Sequence, residues 1–327
     1  MVTGELVYVG SCSGRFVAFS RRSGEEVWSH DTAADGESGT FHGDALVADG
    51  TVVVGADGRA EWLYAFDSAT GAVRWKQQFA RGVSRQVLGR EGVAYAVGGA
   101  GDVTAVDTGT GRVIWTVAET TVPANDWPRD DPALADGLLL VSWPDGHVAA
   151  LDARTGERRW TTRLQRGLNT SIAVAAESAW IGDMSGHLFR LDLRTGKVEA
   201  TIDAGGMLYG DLQVAGDCLL ALSSETGHSL TCRDSRSGVE RWRWRAAKEI
   251  STFRPLVVGD QVVLGTSGTL VSLRLDNGEQ AWECPIGGVP RGISAAADQL
   301  YVGMLDGALR AMPMAACRGD HPAVATP

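Results

Sequence analysis

The chain has 327 residues, a formal net charge of −10 and an isoelectric point near 5.1. This acidity argues against binding to nucleic acid, which requires basic side chains to neutralise phosphates. The 42 glycines and an aromatic content of only 7% favour many short strands joined by tight turns.

A unit of short strands recurs from the first residues to the last. In its clearest copy, a run at Pro132–Ala135 precedes two apolar runs, Leu138–Ser142 and Val148–Leu151, which flank the turn Trp-Pro-Asp-Gly. The signature Asp-x-x-Thr-Gly-x-x-x-Trp follows at Asp152–Trp160 and leads into a further strand. Aligned on its glycine, the signature recurs at Gly24, Gly71, Gly111, Gly156, Gly196, Gly238 and Gly278. A period of about 40 to 47 residues is typical of propeller blades.

Each residue type of the signature has a physical reason. The Asp and Thr side chains can bind backbone N–H groups of a tight turn, and the glycine can adopt a positive φ. The tryptophan is suited to dock against the next unit, because four strands cannot bury both faces of a sheet alone. Six repeats keep this indole, whereas the fifth has Ala200 in its place. The retained indoles are Trp28, Trp75, Trp115, Trp160, Trp242 and Trp282.

The units at the two ends each have one weak strand. Only Met1–Gly4 precedes the clear strands of the first unit, and the last unit, Leu300–Met314, lacks the signature. We therefore predict an all-β, eight-bladed β-propeller of four-stranded antiparallel blades with tryptophan-docking motifs, in which the first and last blades are incomplete or completed by a terminal segment. We expect one domain over residues 1–314 and a C-terminal tail over 315–327. A closed ring needs no second subunit, so we expect a monomer.

The repeats resemble the tryptophan-docked repeats of pyrroloquinoline-quinone dehydrogenases and of a lipoprotein that assists outer-membrane protein assembly. The resemblance covers nearly the whole chain, and it departs at Ser20 and Arg274 in the Asp position and at Ala200. The motifs that carry it are Asp67…Thr70-Gly71…Trp75, Asp107…Thr110-Gly111…Trp115, Asp152…Thr155-Gly156…Trp160 and Asp234…Ser237-Gly238…Trp242. It implies the architecture but no particular chemistry. The quinone enzymes commonly carry an adjacent cysteine pair, which this chain lacks, so we expect no bound cofactor.

Large polar side chains stand at the starts of the innermost strands. Strand alternation places these starts, the inter-blade links and the hairpin turns on one face, at the axial funnel where propellers bind ligands. Arginines there suit a carboxylate or a phosphate. The predicted ligand-binding residues are Arg85, Gln86, Trp127, Arg129, Asp130, Asp131, Asn169, Phe253, Arg254 and Arg291. We predict binding of a polar or anionic small molecule or a peptide in this funnel, or of a protein partner on a propeller face; the alternative is a solvated channel whose Arg–Asp pairs bind nothing.

Two enzymatic alternatives use the same funnel. A cofactor-independent cyclase, isomerase or lyase would use His42 and Tyr209 for acid–base chemistry, with Asp44 and Asp211 balancing charge or taking protons. A quinone-dependent dehydrogenase is the more remote alternative. No metal site is predicted, because His147, His187 and His228 occupy turns of successive blades and would lie too far apart to share a zinc ion.

The cysteines and the N-terminus bear on the compartment. Cys12, Cys218, Cys232, Cys284 and Cys317 are dispersed without a CxxC spacing. An odd number of dispersed cysteines is typical of reduced thiols in a reducing compartment. The first residues, MVTGELVYVG, contain neither a basic leader nor a long apolar run. We therefore predict a cytoplasmic protein that does not bind membranes.

Overall fold

Eight antiparallel sheets follow one another along the chain and form the predicted eight-bladed β-propeller. The computed structural model describes residues 1–58, 61–83, 86–118, 131–164, 167–224 and 227–318. Blade one contains β1 (Val2–Thr3), β2 (Leu6–Gly10), β3 (Arg15–Ser20) and β4 (Glu26–Asp31). A 3₁₀ turn (Thr32–Asp35) and β5 (Gly39–Thr40) then lead to blade two, which contains β6 (Leu46–Ala48), β7 (Thr51–Gly55), β9 (Trp62–Asp67) and β10 (Val73–Gln78). The short β8 (Asp57–Gly58) pairs with β5.

The next three blades repeat the four-stranded order. Blade three contains β11 (Leu88–Arg90), β12 (Val93–Val97), β13 (Val103–Asp107) and β14 (Val113–Val117). Blade four contains β15 (Ala133–Ala135), β16 (Leu138–Ser142), β17 (His147–Asp152) and β18 (Arg158–Arg163). Blade five contains β19 (Ala173–Ala175), β20 (Ser178–Gly182), β21 (His187–Asp192) and β22 (Val198–Asp203).

The last three blades are followed by one short helix. Blade six contains β23 (Met207–Ala215), β24 (Cys218–Ser224), β25 (His228–Asp234) and β26 (Glu240–Arg245). Blade seven contains β27 (Leu256–Val258), β28 (Gln261–Thr266), β29 (Thr269–Arg274) and β30 (Gln280–Pro285). Blade eight contains β31 (Pro290–Ala296), β32 (Gln299–Met304) and β33 (Leu309–Pro313), followed by helix α1 (Met314–Arg318).

The first and last blades are the weakest, as the sequence predicts. Blade one is completed by β1, which is only two residues long, and blade eight has three strands among the described residues. Helix α1 buries Met314 and Cys317 in the apolar core of blades seven and eight, where Cys317 forms a disulfide with Cys284. No helix in the described part of the chain has the length and apolarity to cross a bilayer.

The residues pack into two compact units. The first contains residues 3–183 and 189–200, and the second contains residues 184–188 and the chain from Thr201 onward. Each unit has cores built from the alternating apolar side chains of its strands, such as Tyr64 and Phe66 in the first and Leu220 and Leu222 in the second. The single domain over 1–314 and the tail over 315–327 stay a prediction.

A β-bulge precedes the docking tryptophan in most blades. In blade four, Ala150 pairs with Trp160 while the next residue, Leu151, pairs with Arg158, so Arg159 is the extra residue. The same shift occurs before Trp28, Trp75, Trp115, Trp242 and Trp282. A bulge bends its strand and re-aims the following side chain. The extra residue therefore turns each indole towards the adjacent blade.

The docking contact explains why the signature contains glycine. The Trp75 indole Nε1 donates a 2.9 Å hydrogen bond to the carbonyl oxygen of Thr108, and its ring covers Gly111, where an added Cβ would lie 2.6 Å from a ring carbon. In the same way Trp28, Trp115, Trp160 and Trp242 donate to the carbonyl oxygens of Ser68, Ala153, Leu193 and Leu275. Only a residue without a side chain fits beneath the indole. The predicted docking of each tryptophan against the next unit is confirmed for these five.

The turns are held by their aspartates as the sequence predicts. Asp67 Oδ1 accepts hydrogen bonds from the backbone N–H and the hydroxyl of Thr70, both at 2.9 Å. Its other oxygen lies 2.7 Å from Arg74, the extra residue of the bulge. Led by the hydrogen bonds from Arg74 and Thr70, these contacts lower the pKa of Asp67 to about 2. Blades four and six repeat the Asp–Arg pair with Asp152–Arg159 and Asp234–Arg241.

Candidate functional site

The starts of the innermost strands contact one another in the first unit. Val87 N donates to the carbonyl oxygen of Asp44 at 3.2 Å, and Gln86 N donates to Asp131 Oδ1 at 3.0 Å. The carbonyl oxygen of Asp131 in turn accepts from Ile172 N at 3.4 Å. The structure therefore brings Gln86 and Asp131 together at the starts of blades three and four, beside the exposed Asp44.

The other predicted residues of this unit have different outcomes. Asn169 is half-buried before blade five, and its backbone N–H donates to the carbonyl oxygen of Gly182 at 3.0 Å. Four predicted residues lie outside the described residues: Arg85, Trp127, Arg129 and Asp130.

His42 belongs to a polar cluster that the sequence analysis recognised only in part. Its Nδ1 lies 3.0 Å from Asp57 Oδ2, and its Nε2 lies 3.2 Å from Cys12 Sγ. The Thr40 hydroxyl donates to Asp57 Oδ1 and lies 3.2 Å from His42 Nδ1. We call Cys12, Thr40, His42 and Asp57 the thiol cluster. The carboxylate beside His42 is therefore Asp57, which is not among the residues predicted for the site.

The electrostatics of the thiol cluster favour a charged imidazole. The hydrogen bond to Asp57, reinforced by its charge and opposed by burial, raises the pKa of His42 to about 9. Burial alone would raise the pKa of Asp57, but the hydrogen bonds from His42 and Thr40 and the imidazolium charge hold it below its usual value. At neutral pH the pair is therefore an imidazolium beside a carboxylate, and the imidazolium also contacts the thiol.

A second cluster forms in the other unit around Phe253. Tyr209 meets the Phe253 ring edge-on at 6.3 Å between centroids, and its hydroxyl lies 2.8 Å from His228 Nδ1. Burial raises the pKa of Tyr209, with a smaller contribution from the charge of Glu249. Its hydroxyl therefore stays protonated at neutral pH.

Two arginines flank the same phenylalanine. Arg254 Nε lies 2.5 Å from Asp211 Oδ2, and the Arg291 guanidinium carbon lies 5.9 Å from the Phe253 ring centroid. The backbone holds this arrangement, because Asp211 N donates to the carbonyl oxygen of Phe253 at 2.8 Å. We call Tyr209, Asp211, Phe253, Arg254 and Arg291 the aromatic–arginine cluster. All five are residues that the sequence predicts for the site.

The sequence does not single out Cys12 and Asp57 of the thiol cluster or His228 beside Tyr209, because these residues lie in or next to hairpin turns. Cys12 follows β2, Asp57 follows β7, and His228 begins β25 after the blade-six turn. The strand alternation that places inter-blade links at one end of each blade places these turns at the same end. The same alternation that predicts the position of the inter-blade links is therefore the signal in the sequence that could have placed these residues at the site.

His147, in the hairpin turn of blade four, has partners within its own blade. His147 Nδ1 lies 2.7 Å from Asp145 Oδ2, and its Nε2 lies 2.9 Å from Arg163. Across the described residues, no group of three or more histidine, cysteine or acidic side chains is arranged to hold a metal ion. The contacts of His147 are therefore confined to its own blade.

Comparison with known proteins identifies close similarities over most of the chain. The family model described as outer membrane protein assembly factor BamB matches residues 2–142 and 144–308. The assembly factor BamB of Burkholderia pseudomallei is 28% identical over 264 residues, which cover 74% of this chain and 63% of that protein. The chain thus spans less than two thirds of the length of that relative.

Two further comparisons extend the range of relatives. The crystal structure of BamB from Moraxella catarrhalis superposes with a TM-score of 0.75 over 94% of both chains at 20% identity, which establishes the fold alone. The serine/threonine-protein kinase AfsK of Streptomyces griseus is 29% identical over 189 residues, 55% of this chain and 23% of the kinase. The repeat therefore occurs both as an assembly factor and as part of a much longer protein.

The predicted cytoplasmic localisation is wrong. The matching family and several relatives are outer membrane protein assembly factors, which conflicts with a cytoplasmic site of action. The inference of reduced thiols also fails, because the structure pairs Cys218 with Cys232 and Cys284 with Cys317. Cys218 and Cys232 lie on the paired strands β24 and β25, so pairing depends on strand register and not on a CxxC spacing.

Proposed function

Because the chain belongs to the outer membrane protein assembly factor BamB family, we propose that it is a binding propeller whose partner is a polypeptide. The segment that it binds carries apolar side chains beside carboxylates and contacts the aromatic–arginine cluster. The binding surface is thus the aromatic–arginine cluster, and its partner is an acidic polypeptide segment that also carries apolar side chains.

The exposed ring of Phe253 is the observation that carries this proposal. Phe253 is 54% exposed, although Tyr209 and Arg291 both contact its ring. Aromatic residues and arginine are enriched at the centres of protein interfaces, where few side chains supply most of the binding free energy. A phenylalanine that is held in place by its neighbours and still open to solvent fits that composition.

The charges of the cluster favour an acidic segment. Arg291 is exposed and makes no ion pair within the described part of the chain. Arg254 forms an ion pair with the half-buried Asp211. A guanidinium offers planar donors that match a carboxylate. Since the whole chain carries a net charge of −10, attraction of an acidic peptide requires a local basic surface of this kind.

A polypeptide fits this surface better than the small molecule that the sequence also allows. Two of the cavities in the described part of the chain, of about 400 and 120 Å³, are lined by other residues, around Tyr8 and Ser68 in one case and around Trp244 and Glu283 in the other. Small-molecule sites are usually concave and enclose most of their ligand. An exposed ring flanked by arginines instead suits a partner that supplies its own surface.

Fluorescence anisotropy with a designed peptide tests the proposal. The probe is a fluorescein-labelled decapeptide of alternating Phe and Asp, compared with one in which Lys replaces every Asp and one in which Ala replaces every Phe. We expect saturable binding of the first peptide only. The substitutions Phe253→Ala and Arg291→Ala should each weaken it at least tenfold, or about 1.4 kcal/mol.

Val239→Ala is the matched control, because Val239 is a 64% exposed apolar residue of the same unit outside the cluster. It should leave binding unchanged. Equal binding of the acidic and basic peptides, or full affinity in Phe253→Ala, would show that this surface does not recognise the probe and would refute the proposal.

A further inference from the structure

We infer that Cys12, His42 and Asp57 form a nucleophilic relay and that Cys12 exchanges with disulfides of small thiols or peptides to form a mixed disulfide. This activity is independent of the peptide-binding surface proposed above. Its residues belong to the other compact unit.

The geometry is that of a nucleophile, a base and an orienting group. The Cys12 sulfur lies 3.2 Å from one nitrogen of His42, and the opposite nitrogen lies 3.0 Å from Asp57. The three residues come from three separate segments, the turn after β2, the link after β5 and strand β8. A nucleophile within hydrogen-bond reach of a base that a third group orients is the general signature of an activated side chain.

The charge of His42 suits a nucleophilic sulfur beside it. Asp57 and Cys12 are the titratable groups that act on His42 in the described part of the chain, and Asp57 has the larger effect. With Asp57 ionised, His42 carries a proton on both nitrogens at neutral pH and presents Nε2–H to the sulfur. A neighbouring imidazolium stabilises the thiolate, which is the nucleophilic form of cysteine.

The surroundings favour exchange with an external disulfide over pairing with another cysteine of the chain. Cys12 is exposed, and it is the one cysteine of the described residues without a disulfide. The other four are paired with one another, so Cys12 has no free partner thiol to displace a bound group. Exchange requires a nucleophilic sulfur, access and a proton donor for the leaving sulfur; the cluster offers the Cys12 sulfur, its exposure and His42 in these roles.

The step balances without another oxidant. The Cys12 thiolate attacks one sulfur of a disulfide R–S–S–R′, so a bond forms between Cys12 Sγ and that sulfur while the S–S bond breaks. The leaving R′–S⁻ takes the proton from His42 Nε2 and departs as R′–SH, and His42 recovers a proton from water. The disulfide is reduced by one thiol equivalent as Cys12 is oxidised to the mixed disulfide.

The test measures the reactivity of Cys12 in the non-reduced full chain by mass spectrometry. Iodoacetamide reports the nucleophile from pH 5 to 9, and glutathione disulfide reports the exchange, with N-acetylcysteine as the reference thiol. An ordinary thiol ionises near pH 8.5, so it is about 0.3% thiolate at pH 6. We expect Cys12 to react with both reagents at least tenfold faster than N-acetylcysteine at pH 6.

The variants separate a relay from simple exposure. His42→Ala and His42→Gln should each lower the rate at pH 6 at least tenfold and restore the profile of an ordinary thiol. Asp57→Asn should have a smaller effect, because it removes only the group that keeps the imidazole charged. His147→Ala is the matched control, since His147 forms a similar 2.7 Å contact with Asp145 but has no thiol partner; it should leave the rate unchanged.

Each result decides the proposal. Low-pH reactivity lost in both His42 variants, with a single glutathionyl group on Cys12, supports it. It is overturned if wild-type Cys12 reacts like N-acetylcysteine, a comparison that requires no variant to fold. It is equally overturned if the His42 variants keep the wild-type profile, or if Cys12 is alkylated rapidly but forms no adduct with glutathione disulfide.

Discussion

The two ends of the blades use polar residues in opposite ways. At one end, blades two to six repeat the turn motif, and in each of them the aspartate side chain accepts a hydrogen bond from the backbone N–H of the Thr or Ser three residues later. At the other end, the links and hairpin turns differ between blades and leave Cys12, Phe253 and Arg291 exposed. The repeated residues are accounted for by packing and hydrogen bonding within the fold, whereas the varied residues are accessible to a ligand.

This difference predicts which property each substitution changes. Substitutions in the turns should lower stability and leave peptide binding and thiol reactivity unchanged in the folded protein. Substitutions in the two clusters should change peptide binding or thiol reactivity and lower stability only slightly. A turn variant that remains folded but loses binding, or a cluster variant that unfolds, would break the comparison.

Gly111→Ala should have the largest effect on stability. Its Cβ would lie 2.6 Å from the Trp75 ring, and its φ of +72° disfavours any side chain. A left-handed residue costs about 1–2 kcal/mol and overpacking about 1–3 kcal/mol, so we expect a loss of about 2–5 kcal/mol in the free energy of unfolding. Chemical denaturation measures it.

Gly24→Ala is the control for the backbone alone. Gly24 has nearly the same φ, +74°, but an added Cβ would meet nothing within 4 Å in the described part of the chain. Gly24→Ala should therefore lower the free energy of unfolding by only about 1–2 kcal/mol. If the two variants are equally destabilised, the indole is not what requires glycine in these turns.

Asp152→Asn should have a smaller effect that depends on pH. Hydrogen bonding to Arg159, with further bonds from the turn, lowers the pKa of Asp152 to about 2. A lowered pKa adds stability above the unfolded value near 4, and that stability is lost as the pH falls towards 2. We expect the melting temperature to fall by roughly 2 °C at pH 7 and to match wild type near pH 2. A constant difference across this range would mean that charge is not involved.

The sequence was sufficient to predict the propeller fold, because the same motif is repeated in most blades. Trp75, Gly111 and Asp107 could be interpreted from any copy of the motif, and the structure confirms the docking and the turns. The clusters depend on contacts between segments with no repeat to reveal them. The sequence singles out His42, but only the register of β5 with β8 places Asp57 beside it. The disulfides were missed for the same reason, because Cys284 meets Cys317 through helix α1, which belongs to no repeat.

The smallest expected effect on stability is that of the His42–Asp57 pair. The folded-state pKa of His42, about 9, lies above the unfolded value near 6.5. The stabilisation is therefore complete below pH 6.5 and is lost as the pH rises through 9. His42 is 47% exposed, so solvent screening keeps the contribution small. We expect His42→Gln to lower the melting temperature slightly at pH 6 and not at all at pH 9.5, as measured by calorimetry. A difference that persists at pH 9.5 would show that His42 acts through packing, which would place the thiol cluster with the structural turns.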